Sequence, residues 1–293
     1  MAYDDQFLKA VQTHLLFHKT IEQDETVTNR NIKNQIFEFQ EKADIFTDGI
    51  IGPETLWELQ FPFVTSTQKM NWVRCEADKI NGIEGFNNFI LREDAARQYN
   101  LLRQEIVSLG GKITSSGGKR SLHAGVNQHR SAKSMHYAGL AMDLSINSGF
   151  FSPKTDPFVM VKNKSNSSTS YWQVYCRASG GDLIEIEATY WDSWGSGKDK
   201  KMKIKDRFID FTTIADKYGF HPIPPRRGYL RSSNKQYLSS EWWHFQVNPL
   251  LIPGFSQFGI ELLKIEDYTP EFIRMQNRSI WENRKSIFRK NWW

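Results

Sequence analysis

The stretch GLAMDLSI, residues 139–146, alternates in character with the period of two that marks a β-strand. Leu140, Met142 and Leu144 fall on one face, and Ala141, Asp143 and Ser145 on the other. Gly139 and Ala141 are small and leave room beside the carboxylate. An aspartate on a buried strand needs a partner. His136, in the segment SAKSMHYA just before, offers one in two forms: a direct His–Asp hydrogen bond, or a metal ion shared by both side chains.

A second segment, SSEWWHFQVNP at residues 239–249, has the same period. In a strand through WHFQV, Trp243, Phe245 and Val247 share one face and His244 and Gln246 the other, which places Glu241 in the turn before the strand. Two histidines and an aspartate make the three-ligand set of a hydrolytic zinc site that keeps its fourth position for water. Glu241 then supplies the free carboxylate such a site needs as proton acceptor, with the tryptophans walling it. Taken alone, the EWWH cluster reads first as aromatic core with a hydrogen-bonded histidine, and only the cluster of His136 and Asp143 reverses that reading.

Around these two segments the pattern predicts further strands at KITSS, PFVMVKN, YWQVYCRA and DLIEIEATYW. A helix is predicted over 92–109, where Ala95, Tyr99, Leu102, Ile106 and Leu109 form one stripe, and another at FIDFTTIADKYGF. KNKSNSSTS and WGSGKDKK have loop composition. Residues 68–252 are therefore expected to form an α+β domain of mainly antiparallel strands. Before it, Phe7, Leu8, Val11 and Leu15, then Ile32, Ile36 and Phe39, then Leu56, Trp57 and Leu59 recur at helical spacing. They predict a three-helix unit over residues 1–63, joined to the rest by the polar TSTQK.

The chain has 293 residues and a formal charge of +5, but the first 62 residues carry five Lys/Arg against eleven Asp/Glu. The remainder, at +11, is basic and suited to anionic polymers or surfaces. No helix-turn-helix, zinc-finger or RNA-binding signature is present, so nucleic acid is not the expected partner. Cys75 and Cys176, a hundred residues apart, make neither a disulfide framework nor a thiolate metal site and are expected to be reduced. The acidic start MAYDD lacks the features of a signal peptide, and no run reaches membrane-spanning length. The expectation is synthesis in the cytoplasm. In TPEFIRMQNRSIWENRKSIFRKNWW, residues 269–293, Ile273, Ile280 and Ile287 recur every seventh position, with six basic residues against two acidic. This predicts a basic amphipathic tail over 255–293 that docks on a partner protein, on an anionic surface, or back on the domain it follows.

Two resemblances sharpen these expectations. SMHYAGLAMD followed by EWWHF resembles the SxHxxGxAxD and ExWHF motifs of the zinc D-Ala-D-Ala peptidases, the family of wall carboxypeptidases, vancomycin-resistance dipeptidases and phage L-Ala-D-Glu endolysins. The resemblance implies one zinc ion held by His136, Asp143 and His244, with Glu241 as catalytic base. It implies that Arg120, in ITSSGGKRS, steadies the substrate carbonyl, although an extra glycine stretches the family's SGxR pattern there. Ser134 is implied to touch the substrate backbone, beside Trp243. His123 and His129 match no ligand position, and Arg226 and Arg227 read either as a clamp for a substrate carboxylate or as a solvated basic pair. FEFQEKADIFTDGIIGPETLWELQ, residues 37–60, resembles the three-helix peptidoglycan-binding domain, whose hallmark is a DGxxGPxT turn. Together they imply a hydrolase of peptidoglycan stem peptides, an endopeptidase or carboxypeptidase, anchored on the bacterial wall. It would reach the wall as a phage endolysin or as part of a phage-tail-like injection apparatus. A module that keeps the fold without catalysis is the alternative.

Overall fold

The computed structural model describes residues 2–126, 130–163, 171–192, 197–231, 235–276 and 292. It is an α+β protein, as the alternation of patterns predicts. The chain divides into two compact units, one of residues 1–71, 121–134 and 251–293, the other of residues 72–120 and 135–250.

The first unit starts with α1 (Asp5–Phe17), whose N-terminus is capped by Asp4 accepting from the Phe7 amide at 2.8 Å. α2 (Ile32–Lys42) and α3 (Pro53–Thr67) follow. Their apolar stripes close on one another around Val11, Leu15, Ile36, Phe39, Leu56 and Leu59. The turn between α2 and α3 is organised by Gln40, only 1% exposed. Its Nε2 donates to Asp48 Oδ1, the Ile50 carbonyl and Thr55 Oγ1, and its Oε1 accepts from the Asp48 and Gly49 amides. The D, G and T of the DGxxGPxT pattern thus converge on one buried amide, and the Pro supplies the first residue of α3.

α3 runs past its expected end near Phe63. The hydroxyls of Thr65, Ser66 and Thr67 bond back to the carbonyls of Phe61, Pro62 and Phe63, so the polar TST lies within the helix. The same unit takes in Phe255, which packs edge-on to Phe7, and α7 (Phe258–Leu263), in which every residue is buried. The segment from 255 thus begins as part of this unit's core, not as a separate tail. α8 (Pro270–Gln276) starts just after Thr269, whose Oγ1 accepts from the Phe272 amide at 3.0 Å. Ile280 and Ile287 of the expected amphipathic repeat lie outside the described residues.

Among its described residues the second unit contains three antiparallel sheets. β1 (Trp72–Glu76) pairs with β2 (Asn88–Arg92), a hairpin absent from the sequence expectations, and α4 (Glu93–Ser108) follows with Ala95, Tyr99, Leu102 and Ile106 buried as predicted. β4 (Phe158–Lys162), β5 (Trp172–Trp191) and β6 (Asp199–Asp210) form the second sheet. β5 joins the two predicted strands YWQVYCRA and DLIEIEATYW into one, because Gly181 lies so close to β6 that a Cβ there would stand 2.5 Å from the Phe208 carbonyl oxygen. β6 corrects the loop reading of KDKK and the helical reading of FID. Its lysines alternate with Met202 and Ile204, which pack with Ile184 and Ile186, and Lys203 and Lys205 lie opposite Glu187 and Glu185. α5 (Phe211–Lys217) begins only after Asp210, which caps it, and the single turn α6 (Arg227–Leu230) follows the prolines of HPIPP.

The third sheet has the order β3 (Ala141–Asp143), β8 (His244–Val247), β7 (Phe220–Pro222). KITSS joins no named strand. Its polar groups are shared out between segments, the Ile113 and Ser115 carbonyls accepting from Asp78 and Phe86 and the Ser116 amide donating to Asp143. Cys75 and Cys176 are free and buried, and burial pushes the Cys176 thiol up to about 11. Among the described residues no helix is long and apolar enough to cross a membrane.

Candidate metal centre

Register builds this site. In the β3–β8 pair Asp143 lies directly opposite His244, with Met142 opposite Phe245 and Ala141 opposite Gln246, so carboxylate and imidazole leave the sheet on the same face. His136 arrives from a 3-10 turn, Met135–Ala138. Gly139 reverses the chain after that turn at φ 67°. Its missing side chain does not make room for the carboxylate, as expected, but for its neighbours: a Cβ would stand 2.4 Å from Trp72 Cζ3 and 2.6 Å from the Arg92 amide nitrogen. The face carrying Ala141 and Ser145 is also covered, since both residues are buried.

His136 Nε2 lies 3.2 Å from Asp143 Oδ2 and 3.2 Å from His244 Nδ1, and His244 Nδ1 lies 3.0 Å from Asp143 Oδ1. One donor atom from each of the three falls within 4.8 Å of the others, a group that could hold a metal ion. The remaining ring nitrogens fix the tautomers. His136 Nδ1 meets the Gly118 carbonyl at 2.6 Å, and a carbonyl only accepts, so Nδ1 carries the hydrogen and Nε2 the lone pair. His244 Nε2 meets Gln246 Oε1 at 3.3 Å, and Gln246 is oriented by donating to Asn248 Oδ1 at 2.8 Å, which leaves the lone pair on His244 Nδ1. Two imidazole lone pairs and a carboxylate aimed at one point suit a divalent ion of borderline softness.

Electrostatics agree with this geometry. Burial works against ionisation of Asp143, but the charges and hydrogen bonds of His136 and His244 outweigh it and hold the carboxyl well below the usual carboxylate range. Burial likewise opposes protonation of His244. The hydrogen bond and charge of Asp143, with the charge of Glu241 behind them, raise its pKa above the ordinary imidazole value. A proton and a metal ion would compete for the same nitrogen of His244.

Glu241 lies just before β8, buried, at φ 53°, an unusual conformation for a residue with a side chain. Its carbonyl accepts from the His244 amide at 3.1 Å, closing the turn that the period of the strand requires. Its Oε1 is bonded by Arg226 Nε, so Arg226 is neither a solvated partner of Arg227 nor separate from the cluster. Arg120 is tied to the His136 turn, its amide donating to the His136 carbonyl at 3.0 Å and its guanidinium lying 5.7 Å from the Tyr137 ring centre. The extra glycine has a local cause: a Cβ on Gly118 would stand 2.5 Å from the Ile90 carbonyl oxygen.

Trp242 has no exposure and Trp243 only 5%, so both rings give most of their surface to the core, Trp243 packing 5.8 Å from Tyr237. They anchor the turn that carries Glu241 more than they offer a surface to a ligand. Ser134 is half-buried at the end of the 121–134 segment, which groups with the first unit. His123 is exposed in that segment, and His129 lies outside the described residues. The sequence pattern singled out Arg226 without its partner Glu241, and missed Gly118 and Gln246 as parts of the site. Only Gln246 left a signal, since it shares the face of His244.

The chain matches no protein-family profile, no curated protein and no solved structure. The functional reading therefore stands on these residues and their geometry.

Proposed function

We propose that this protein is a zinc-dependent peptidase that hydrolyses the stem peptides of bacterial peptidoglycan, with residues 1–63 contributing a wall-binding unit. The observation that carries the reading is the convergence of His136, Asp143 and His244, with both outer ring nitrogens engaged and a buried glutamate one turn away. Zinc held there would supply Lewis acidity and lower the pKa of a water to about 7. Glu241 accepts the proton as water attacks the amide carbonyl and returns it to the leaving amine. Arg120, held against the His136 turn, supports the developing negative charge on the carbonyl oxygen.

The Gln40-centred turn of the first unit supports the resemblance to peptidoglycan-binding domains. The test is metal analysis of the purified protein together with mass spectrometry of wall digests. One zinc per chain and new muropeptide ends are expected. Bound zinc without any cleavage would instead favour the non-catalytic wall-binding module.

A further inference from the structure

Arg226 is ion-paired with the proposed proton acceptor, and three features describe the pair. Its backbone amide donates to the Ser239 carbonyl at 2.8 Å, tying the segment after the prolines of HPIPP to the turn that precedes Glu241. Its Nε bonds Glu241 Oε1. The Glu241 side chain is 7% exposed whereas that of Arg226 is 36%, so the carboxylate is enclosed and the guanidinium spans from it towards solvent. Glu241 itself sits at φ 53°, in a turn and not within a helix or strand. A directional, charge-assisted bond to Oε1 fixes the rotamer of a carboxylate placed in this way.

We infer that Arg226 is the positioning residue for Glu241: it holds Oε1 so that the carboxylate meets the attacking water in one orientation, without itself touching substrate. The inference rests on the peptidase reading. It concerns the rate of the chemical step, and neither the holding of metal nor the binding of substrate.

The test is a double-mutant cycle on the full chain, with Arg226→Met, Arg226→Lys, Glu241→Gln and the Arg226→Met/Glu241→Gln double variant. Zinc content, kcat and KM on soluble muropeptides, and thermal unfolding are each measured. Arg226→Met is expected to keep its zinc and to lose about tenfold to a hundredfold in kcat, the usual effect of removing a group that orients a reacting one, with little change in KM. Arg226→Lys keeps the charge without the directional Nε, so it is expected to recover stability but only part of kcat. In the Glu241→Gln background, Arg226→Met should add no further loss. An unchanged kcat in Arg226→Met, a loss carried by KM, or an equal further loss in the Glu241→Gln background would each overturn the positioning role. If Arg226→Met does not fold, Arg226→Lys decides: kcat equal to wild type overturns the role. A wild-type protein that releases no muropeptide removes the peptidase reading itself, which distinguishes the two failures.

Discussion

His136 and His244 offer different ring nitrogens, Nε2 and Nδ1, to one point, and in each case the choice is made by what the other nitrogen meets. For His244 that partner is Gln246, two positions along the same strand face and itself held by Asn248. Gln246→Ala removes the acceptor and lets the imidazole turn and change tautomer. The expected outcome is metal affinity lowered about tenfold to a hundredfold, with thermal stability of the metal-free protein nearly unchanged. Competition with a chromophoric chelator measures it, and wild-type affinity in the variant would show that the Gln246 contact orients nothing. At this scale the sequence is most legible. Asp143 and His244 lie on recognisable period-two segments, so their shared face follows from register alone. Gly118 serves through its carbonyl, and Arg226 through a fold-dependent approach, and neither backbone oxygens nor long-range ion pairs leave a pattern in sequence.

Among the elements, the α2–α3 turn depends on a side chain outside the motif that announces it. Gln40 makes five hydrogen bonds to Asp48, Gly49, Ile50 and Thr55. Gln40→Leu keeps the volume but leaves the Asp48 and Gly49 amides without their acceptor, at a cost on the order of 2–3 kcal/mol. Urea unfolding of the full chain should report that loss, and cosedimentation with insoluble peptidoglycan should weaken with it. Unchanged stability would mean that the turn is held by Pro53 and Gly49 alone. The helices of this unit are legible because each has an apolar stripe and a start signal. The end of α3 is not, because hydroxyls that usually close a helix bond back along it here. β6 was obscured in the same way: its lysines have the composition of a loop, and only their pairing with the glutamates of β5 makes the alternation meaningful.

The chain as a whole interleaves two units, a division that local pattern does not contain. Phe255 and α7 return to the first unit from nearly two hundred residues beyond α3. His14 marks that return. It lies 4.5 Å from the Phe63 ring and 5.1 Å from the Phe255 ring, with Nδ1 on the Ala10 carbonyl at 2.7 Å. Burial lowers its pKa from 6.5 to about 4, with Lys264 and His18 adding to the effect against the Ala10 hydrogen bond. Between those values the unfolded chain binds the proton and the folded one does not. The contribution of neutral His14 is therefore complete above pH 6.5 and lost as pH falls towards 4, about 3 kcal/mol in all. His14→Gln, compared with wild type in thermal unfolding at pH 7, 5.5 and 4, should flatten this part of the acid destabilisation, and parallel curves for the two proteins would contradict the assignment.

The central claim is that one cluster holds a metal and a separate glutamate moves the proton. Metal content and muropeptide release, measured in parallel on wild type, His244→Ala and Glu241→Gln, test it most directly. One zinc is expected in wild type and in Glu241→Gln, none in His244→Ala, and a rate in Glu241→Gln lowered by about a hundredfold to ten-thousandfold. A Glu241→Gln protein that holds its zinc and cuts the wall at the wild-type rate would contradict it.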